Sequence, residues 1–298
     1  MGEFWGVGAA MLSSALGGAA VGATRYVAGV LDPLALGSFR FGVGVLLLAP
    51  LAWRGQAPWP ARRDWLATLG LGLLFFAVFP LLFNASLRHT SAARGALALS
   101  ALPVLTMAVA AALGVEPLTR RKTAGVLLAM GGVALALLAG LAHAPPGAWR
   151  GDLLMLGAAL CMALYSVWSR PLIRRSGALT FTTLAMATGA LVLVLGASAN
   201  GSFAQVAQFG RPQWLAIAYL GLFGGAIGFY LWSFALQHST PTLVALSVTV
   251  NPVTAALVGA WVLDEPVTWN LVAGLLAVLA GIALATTGAR CTTHPGPR

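Results

Sequence analysis

A chain of 298 residues that is 59% hydrophobic and only 8% charged cannot cover a water-facing surface, because a soluble globular domain carries about 25% charged residues. Its mean hydropathy of +0.88 sets it among polytopic membrane proteins. A formal charge of +10 would point to nucleic acid in a soluble protein, but here the basic residues sit in short runs between apolar stretches. That is the mark of membrane orientation, not of a phosphate-binding face, so no nucleic-acid partner is expected. Two cysteines, Cys161 and Cys291, supply neither a disulfide framework nor a metal site, and no cofactor or metal is expected.

A helix needs roughly 20 apolar residues to cross the hydrocarbon. In chain order, the stretches that meet this are Phe4–Thr24, Pro33–Trp53, Asp64–Ser86, Ala92–Val115, Lys122–Leu141, Asp152–Leu172, Ala178–Asn200, Gln213–Leu236, Thr240–Leu263 and Val267–Gly288. The predicted fold class is therefore an all-α integral membrane protein with ten transmembrane helices. The first stretch has no basic leader and no cleavage-like end, so it reads as a mature span rather than a signal peptide.

The chain repeats itself. Leu87, His89, Pro103, Glu116-Pro117, Thr119, Gly125 and Gly132 recur as Leu236, His238, Pro252, Glu265-Pro266, Thr268, Gly274 and Gly281, each 149 residues later. The same offset carries Trp65-Leu66-Ala67 to Trp214-Leu215-Ala216. Matches of His, Pro and Gly in one ungapped register define two units, residues 1–141 and 150–288, followed by a tail, 289–298. Lys and Arg set the orientation. With the N-terminus inside, the inner segments hold Arg54, Arg62, Arg63, Arg120, Arg121, Lys122, Arg170, Arg174, Arg175, Arg290 and Arg298, against five arginines outside. Both termini then lie in the cytoplasm. An odd number of spans per unit inverts the second copy relative to the first, which is a transporter architecture with its path at the repeat interface.

Candidate functional residues follow from what hydrocarbon tolerates. Pro103 and Pro252 each remove a backbone hydrogen bond near mid-span; they are either gating kinks or packing kinks. Asn251 needs a partner for a polar side chain deep in a span, and Ser100, Ser247 and Thr249 lie within about a turn of the kinks. Arg40 is the one strongly placed intramembrane charge. Snorkelling to the outer interface is the weightier reading; the sharper one is a cation for a substrate carboxylate or phosphate, or for helix-end carbonyls. No Asp or Glu sits deep in a span, which argues against a carboxylate proton relay. The Glu-Pro pairs read as structural turns, with Thr119 and Thr268 as N-caps. His89 and His238 read as turn caps.

Aromatic residues speak to substrate. Phe75, Phe79 and Phe83 recur every four residues on the third span, with Asn84 beside them; Tyr165 and Trp168 are neighbours on the sixth, and Tyr230 and Trp232 lie on the eighth. They are either lipid and packing contacts or the wall of an apolar pocket with a few polar groups. Gly18–Gly22 and Gly221–Gly225 have the spacing of close helix contacts. The fifth and tenth spans, poor in polar groups, are expected at the periphery, in a dimer contact if the chain is a homodimer rather than a monomer.

These features resemble the drug/metabolite transporter superfamily, and within it the EamA-type members with ten spans and two repeats. The resemblance rests on the A-L-x-H-type end of the third span, the mid-span proline of the fourth, and the Glu-Pro opening and spaced glycines of the fifth. Phe39-Arg40-Phe41 is similar to the family's arginine early in the second span, while the second copy departs from it with Thr188-Gly189-Ala190. The resemblance implies a basket of helices around a central cavity in a bacterial inner membrane. It also implies export of amino acids or other small metabolites, with the aromatic amino-acid exporter branch the best match. Nucleosides, sugar phosphates or drug-like cations are the alternative cargoes. A membrane enzyme needs a nucleophile and a base, or a metal cluster, at one depth, and no His, Asp, Glu or Lys in a span supplies one. A channel or lipid scramblase would lack an evident ring of filter groups.

Overall fold

The computed structural model describes residues 2–28, 31–55, 57–87, 89–90, 92–136, 147–254 and 269–287, and every regular element among them is a helix. Helix α1 spans Gly2–Ala28 and α2 spans Pro33–Arg54. Asp32 caps α2 by accepting from Leu34 N–H at 2.9 Å, with Pro33 in the first turn, where its missing N–H is no loss. Helix α3 (Arg62–Leu73) continues through a π-helical segment, Leu74–Val78, into α4 (Phe79–Ser86). Helices α5 (Ala92–Leu99) and α6 (Leu102–Ala112) form one rod broken at Ser100 and Ala101. After α7 (Arg120–Ala136) come α8 (Ala148–Ser176) and α9 (Ala178–Ala199). Helix α10 (Arg211–Tyr219) runs through a second π segment, Leu220–Ile227, into α11 (Gly228–His238). Helix α12 (Pro241–Leu246) tightens to a 3₁₀ turn at Ser247–Thr249 before helical residues 250–254, and α13 is Trp269–Thr287.

Among the described residues six stretches are long and apolar enough to cross a bilayer: Pro33–Arg54, Arg62–Ser86, Gly95–Ala112, Ala148–Ser176, Ala178–Ala199 and Arg211–His238. The apolar parts of α1 and α13 are shorter. The end of the expected ninth span, Glu265-Pro266, Thr268 and the tail lie outside the described residues. The surface is that of a protein in lipid. Leu46, Trp53, Leu66 and Leu215 are between 70% and 84% exposed, while buried hydroxyls such as Ser38 and Ser166 bond their own helix four residues back.

Helices α7 and α13, expected at the periphery, cross each other backbone to backbone. A Cβ on Gly125 would lie 2.6 Å from the carbonyl oxygen of Gly281, and one on Gly132 would lie 2.7 Å from that of Gly274. The first glycine of each helix meets the second glycine of the other, so the two run antiparallel in a self-complementary crossing. Lipid offers no hydrophobic drive for helices to associate; close packing of small residues supplies it instead. The spaced glycines of the repeat thus have a structural job.

The Glu-Pro turn does more than cap its own helix. Thr119 Oγ1 accepts from Lys122 N–H at 3.3 Å, as a helix cap should. Glu116 is buried, takes Lys122 Nζ at 2.9 Å, and accepts from the Thr242 N–H at the start of α12 at 3.1 Å. A carboxylate at that position neutralises the lysine and one orphan amide of α12 together.

The seam makes a direct prediction. Gly132→Leu should destabilise the chain by about 1–3 kcal/mol or more through overpacking. Gly131→Leu, whose Cβ would meet nothing within 4 Å, should leave stability near wild type. Thermal unfolding in detergent, followed by size exclusion, distinguishes the two.

Candidate functional site

The middle of the molecule is an aromatic core at the π segment between α3 and α4. Phe75 stacks on Tyr165 of α8, centroids 4.1 Å apart and planes 19° apart. Phe76 sits edge-on to Phe41 of α2 at 5.3 Å and to Phe229 of α11 at 5.1 Å. Phe181 of α9 closes against Tyr165 at 6.3 Å. Edge-to-face and offset pairs of this kind each contribute about 0.5–1.5 kcal/mol beyond their buried area. Phe75, Phe76, Tyr165 and Phe181 are fully buried, so the rings fill the centre of this conformation.

Two breaks in α-helical register flank this core. Pro80 cannot donate to the Phe76 carbonyl four residues back, and just before it the Phe79 N–H bonds Leu74 O, five residues back. The second π segment contains Gly221, Gly224 and Gly225 and lies at the repeat-related position, 149 residues on. There the Gly228 N–H bonds Phe223 O, again five residues back. Gly225 packs on α2 so tightly that a Cβ would stand 2.5 Å from the Arg40 carbonyl oxygen, and Gly221 abuts Val43. Across the molecule, Gly189 of α9 abuts Phe76 in the same manner. Positions 40 and 189, and 76 and 225, are repeat counterparts.

Arg40 does not snorkel outward. Its Nε and Nη2 both donate to one oxygen, the Gly224 carbonyl, at 3.1 and 2.9 Å. The guanidinium carbon lies 5.8 Å from the ring centroids of Phe41 and Phe229, within cation–π reach. The reason is local: the π segment leaves a carbonyl facing α2, and a glycine there lets the side chain approach it.

The proline rods break where expected. Ser100 and Ala101 form a turn just before Pro103, and Ser247–Thr249 form a 3₁₀ turn just before Pro252. The nearby hydroxyls bond their own backbone: Ser100 Oγ donates to Leu97 O at 2.6 Å, Ser247 Oγ to Val244 O at 2.7 Å and Thr249 Oγ1 to Leu246 O at 2.7 Å. Helix α1 lies along the ninth rod. Ser14 Oγ shares a hydrogen bond with Ser247 Oγ at 2.9 Å, Gly17 faces the Asn251 amide, and Gly18 meets Thr254 and the Asn251 carbonyl. Ser13 Oγ donates to Gly228 O at 2.8 Å. The sequence reading passed over Ser13, Ser14 and Phe229. The adjacent serines before Gly17-Gly18 were the available signal for the first two.

The remaining candidates separate. Phe79 and Phe83 continue the aromatic run from Phe75, with centroids 5.4 and 5.9 Å apart, and are half-buried, as is Asn84. Trp168 turns away from Tyr165: it is 47% exposed and lines a surface cavity of about 460 Å³ with Leu113, Val115 and Pro171. Trp232 is buried and packs in the same hydrophobic core as Tyr165, and half-buried Tyr230 pairs with Phe234. His238 Nδ1 bonds the Phe234 carbonyl at 2.9 Å, closing the last turn of α11, while His89 is exposed. Several buried polar atoms have no protein partner: the Tyr165 hydroxyl, Trp232 Nε1, Ser169 Oγ and Asn251 Oδ1. The Tyr165 hydroxyl faces Ser233 without closing a hydrogen bond, while the Ser233 hydroxyl pairs with Thr182 at 2.6 Å. Among the described residues no group of three or more His, Cys, Asp or Glu could hold a metal.

Apolar helices of membrane-spanning length packed around an aromatic core define a multi-pass membrane protein. The EamA-like transporter family matches residues 4–138 and again 149–287, and the chain belongs to that family, within the drug/metabolite transporter superfamily. An uncharacterized protein of Pseudomonas aeruginosa is 33% identical over 85% of this chain and 84% of its own. An uncharacterized transporter of Bacillus subtilis is 24% identical over 90% and 89%. A protein of Streptantibioticus cattleyicolor named as a probable terminal-alkyne amino-acid exporter is 29% identical over 76% and 74%. A solved crystal structure superposes with a TM-score of 0.78 at 23% identity, covering 99% of each chain; at that identity it establishes the fold alone.

The unsatisfied hydroxyl gives a test of the core. Tyr165→Phe removes a buried polar atom that has no partner and should leave stability unchanged or raise it by about 1–2 kcal/mol. Tyr165→Leu, which removes the stack on Phe75, should lower it. Chemical or thermal unfolding of the purified variants measures both.

Proposed function

We propose that the chain is a carrier of the bacterial inner membrane that exports small metabolites, foremost amino acids with aromatic or hydrophobic side chains. In this reading it works by alternating access between two inverted halves, residues 1–141 and 150–288, with both termini in the cytoplasm. The observation that carries it is the recurrence of broken helical register at repeat-related positions around one aromatic centre. The π segments Leu74–Val78 and Leu220–Ile227, and the breaks before Pro103 and Pro252, fall on corresponding elements of the two halves. A backbone that departs from α-helix in hydrocarbon is tolerated where protein buries it or where it lines a path. Such departures in corresponding positions of two halves point to the site of a secondary transporter.

The self-complementary crossing of α7 and α13 supports the inverted relation, since it is the contact that a two-fold axis between antiparallel copies generates. Aromatic rings beside unpaired hydroxyl, indole and amide groups suit a small amphipathic cargo. The relative named as a probable terminal-alkyne amino-acid exporter favours that cargo class over nucleosides and sugar phosphates. In this conformation the aromatic core is shut, so loading requires Phe75 or Phe229 to move.

Counterflow in liposomes tests the reading: preloaded phenylalanine or leucine should accelerate uptake of the labelled amino acid in a saturable way. An ohmic current, or no counterflow with any amino acid, would sink it. Pro103→Ala and Pro252→Ala should each slow counterflow by about tenfold while folded protein in the membrane falls far less, since restoring a hydrogen bond straightens the rod. Wild-type rates at normal expression would remove the gating role.

A further inference from the structure

We propose that Arg40 is the receptor for the cargo's carboxylate, and that the Gly224 carbonyl is a resting partner which the cargo displaces. The inference rests on the carrier reading and adds to it a recognition group and a coupling step.

Three observations carry it. First, among the described residues both hydrogen bonds of the Arg40 side chain go to a single neutral oxygen. A guanidinium has five donors, so most of the fork is unspent. Among the described residues no acidic side chain forms an ion pair with it. A charge in hydrocarbon without a counter-charge is costly, and an anion that arrives there relieves the cost. Secondly, a carboxylate offers two charged oxygens at the spacing of the guanidinium fork, and charge-assisted bonds are roughly twice as strong as neutral ones. Exchange of one carbonyl for one carboxylate is therefore favourable at Arg40. The Phe41 and Phe229 rings beside the guanidinium supply an apolar wall for the remainder of the cargo.

Thirdly, the carbonyl left behind has somewhere to go. In a regular α-helix the Gly228 N–H would bond Gly224 O; here it is spent on Phe223 O, with Gly225 O also in reach. Once Arg40 lets go, Gly224 O becomes the α-helical acceptor for that N–H, and the π segment can tighten toward α-register. Gly228 O already holds Ser13 of α1, so a register change at Gly228 is felt in the first rod. The segment is a two-state element that the cargo biases through Arg40, which is the form a physical coupling has to take.

The test uses the whole protein in detergent with phenylalanine, phenylacetate and phenethylamine, which separate the carboxylate from the amine. Phenylalanine and phenylacetate should raise the melting temperature and change amide exchange across residues 220–229; phenethylamine should do neither. Arg40→Gln should lose both responses, and Arg40→Lys should keep a response at least tenfold weaker in concentration, since an ammonium keeps the charge and loses the fork. Equal action of phenethylamine, a retained preference for carboxylates in Arg40→Gln, or no response of the wild type to either carboxylate would each overturn the inference. A wild-type chain that gives saturable counterflow of a cargo lacking a carboxylate would keep the carrier reading while removing this one.

Discussion

A backbone amide or carbonyl without a partner costs several kcal/mol in hydrocarbon, and the centre of this molecule is arranged around that cost. Several interruptions of the α-helical ladder are met by partners close by. The Phe79 and Gly228 amides reach back five residues instead of four. Hydroxyls of Ser100, Ser247 and Thr249 take up carbonyls just ahead of the proline breaks. Where the repair comes from another rod, it carries information between rods: Arg40 of α2 holds Gly224, Ser13 of α1 holds Gly228, and Glu116 holds the Thr242 amide of α12. A local defect in one helix is thereby a contact between two.

Those contacts need backbones to come close, and small residues permit it. Gly189 admits Phe76, Gly225 admits the Arg40 carbonyl, and Gly18 admits Thr254. None of these glycines has an unusual backbone conformation; what they provide is the missing Cβ. A bulkier residue at any of them would push apart two rods whose polar groups depend on short distances.

Much of this was legible in the sequence. The membrane class followed from charge content, and the paired family matches fall on the two segments related by the 149-residue offset. Proline announced the breaks at residues 103 and 252 because its chemistry is local. The π segments were not legible. A helix slips register when a proline, a glycine run and a neighbour's packing act together, and the last of these is tertiary. For Arg40 the weightier reading, snorkelling, gave way to the alternative of a carbonyl partner for the same reason: that partner is 184 positions away, and a main-chain oxygen leaves no trace in composition. Trp168 had the right spacing from Tyr165, but three residues along leave the two side chains about 60° apart around the helix, and that offset sets Trp168 at the edge of the face that Tyr165 buries, half exposed.

The glycine crossing of α7 and α13 has one more consequence. Because each helix offers the other the same two notches, the joint would serve equally well between separate polypeptides of half the length. Carrying both notched helices on one polypeptide turns their meeting from an encounter in the bilayer into closure of a loop, with a local concentration set by the connecting chain rather than by expression. Covalent continuity then leaves the halves free to diverge elsewhere, an arginine at position 40 against a glycine at position 189, while the joint keeps them in step.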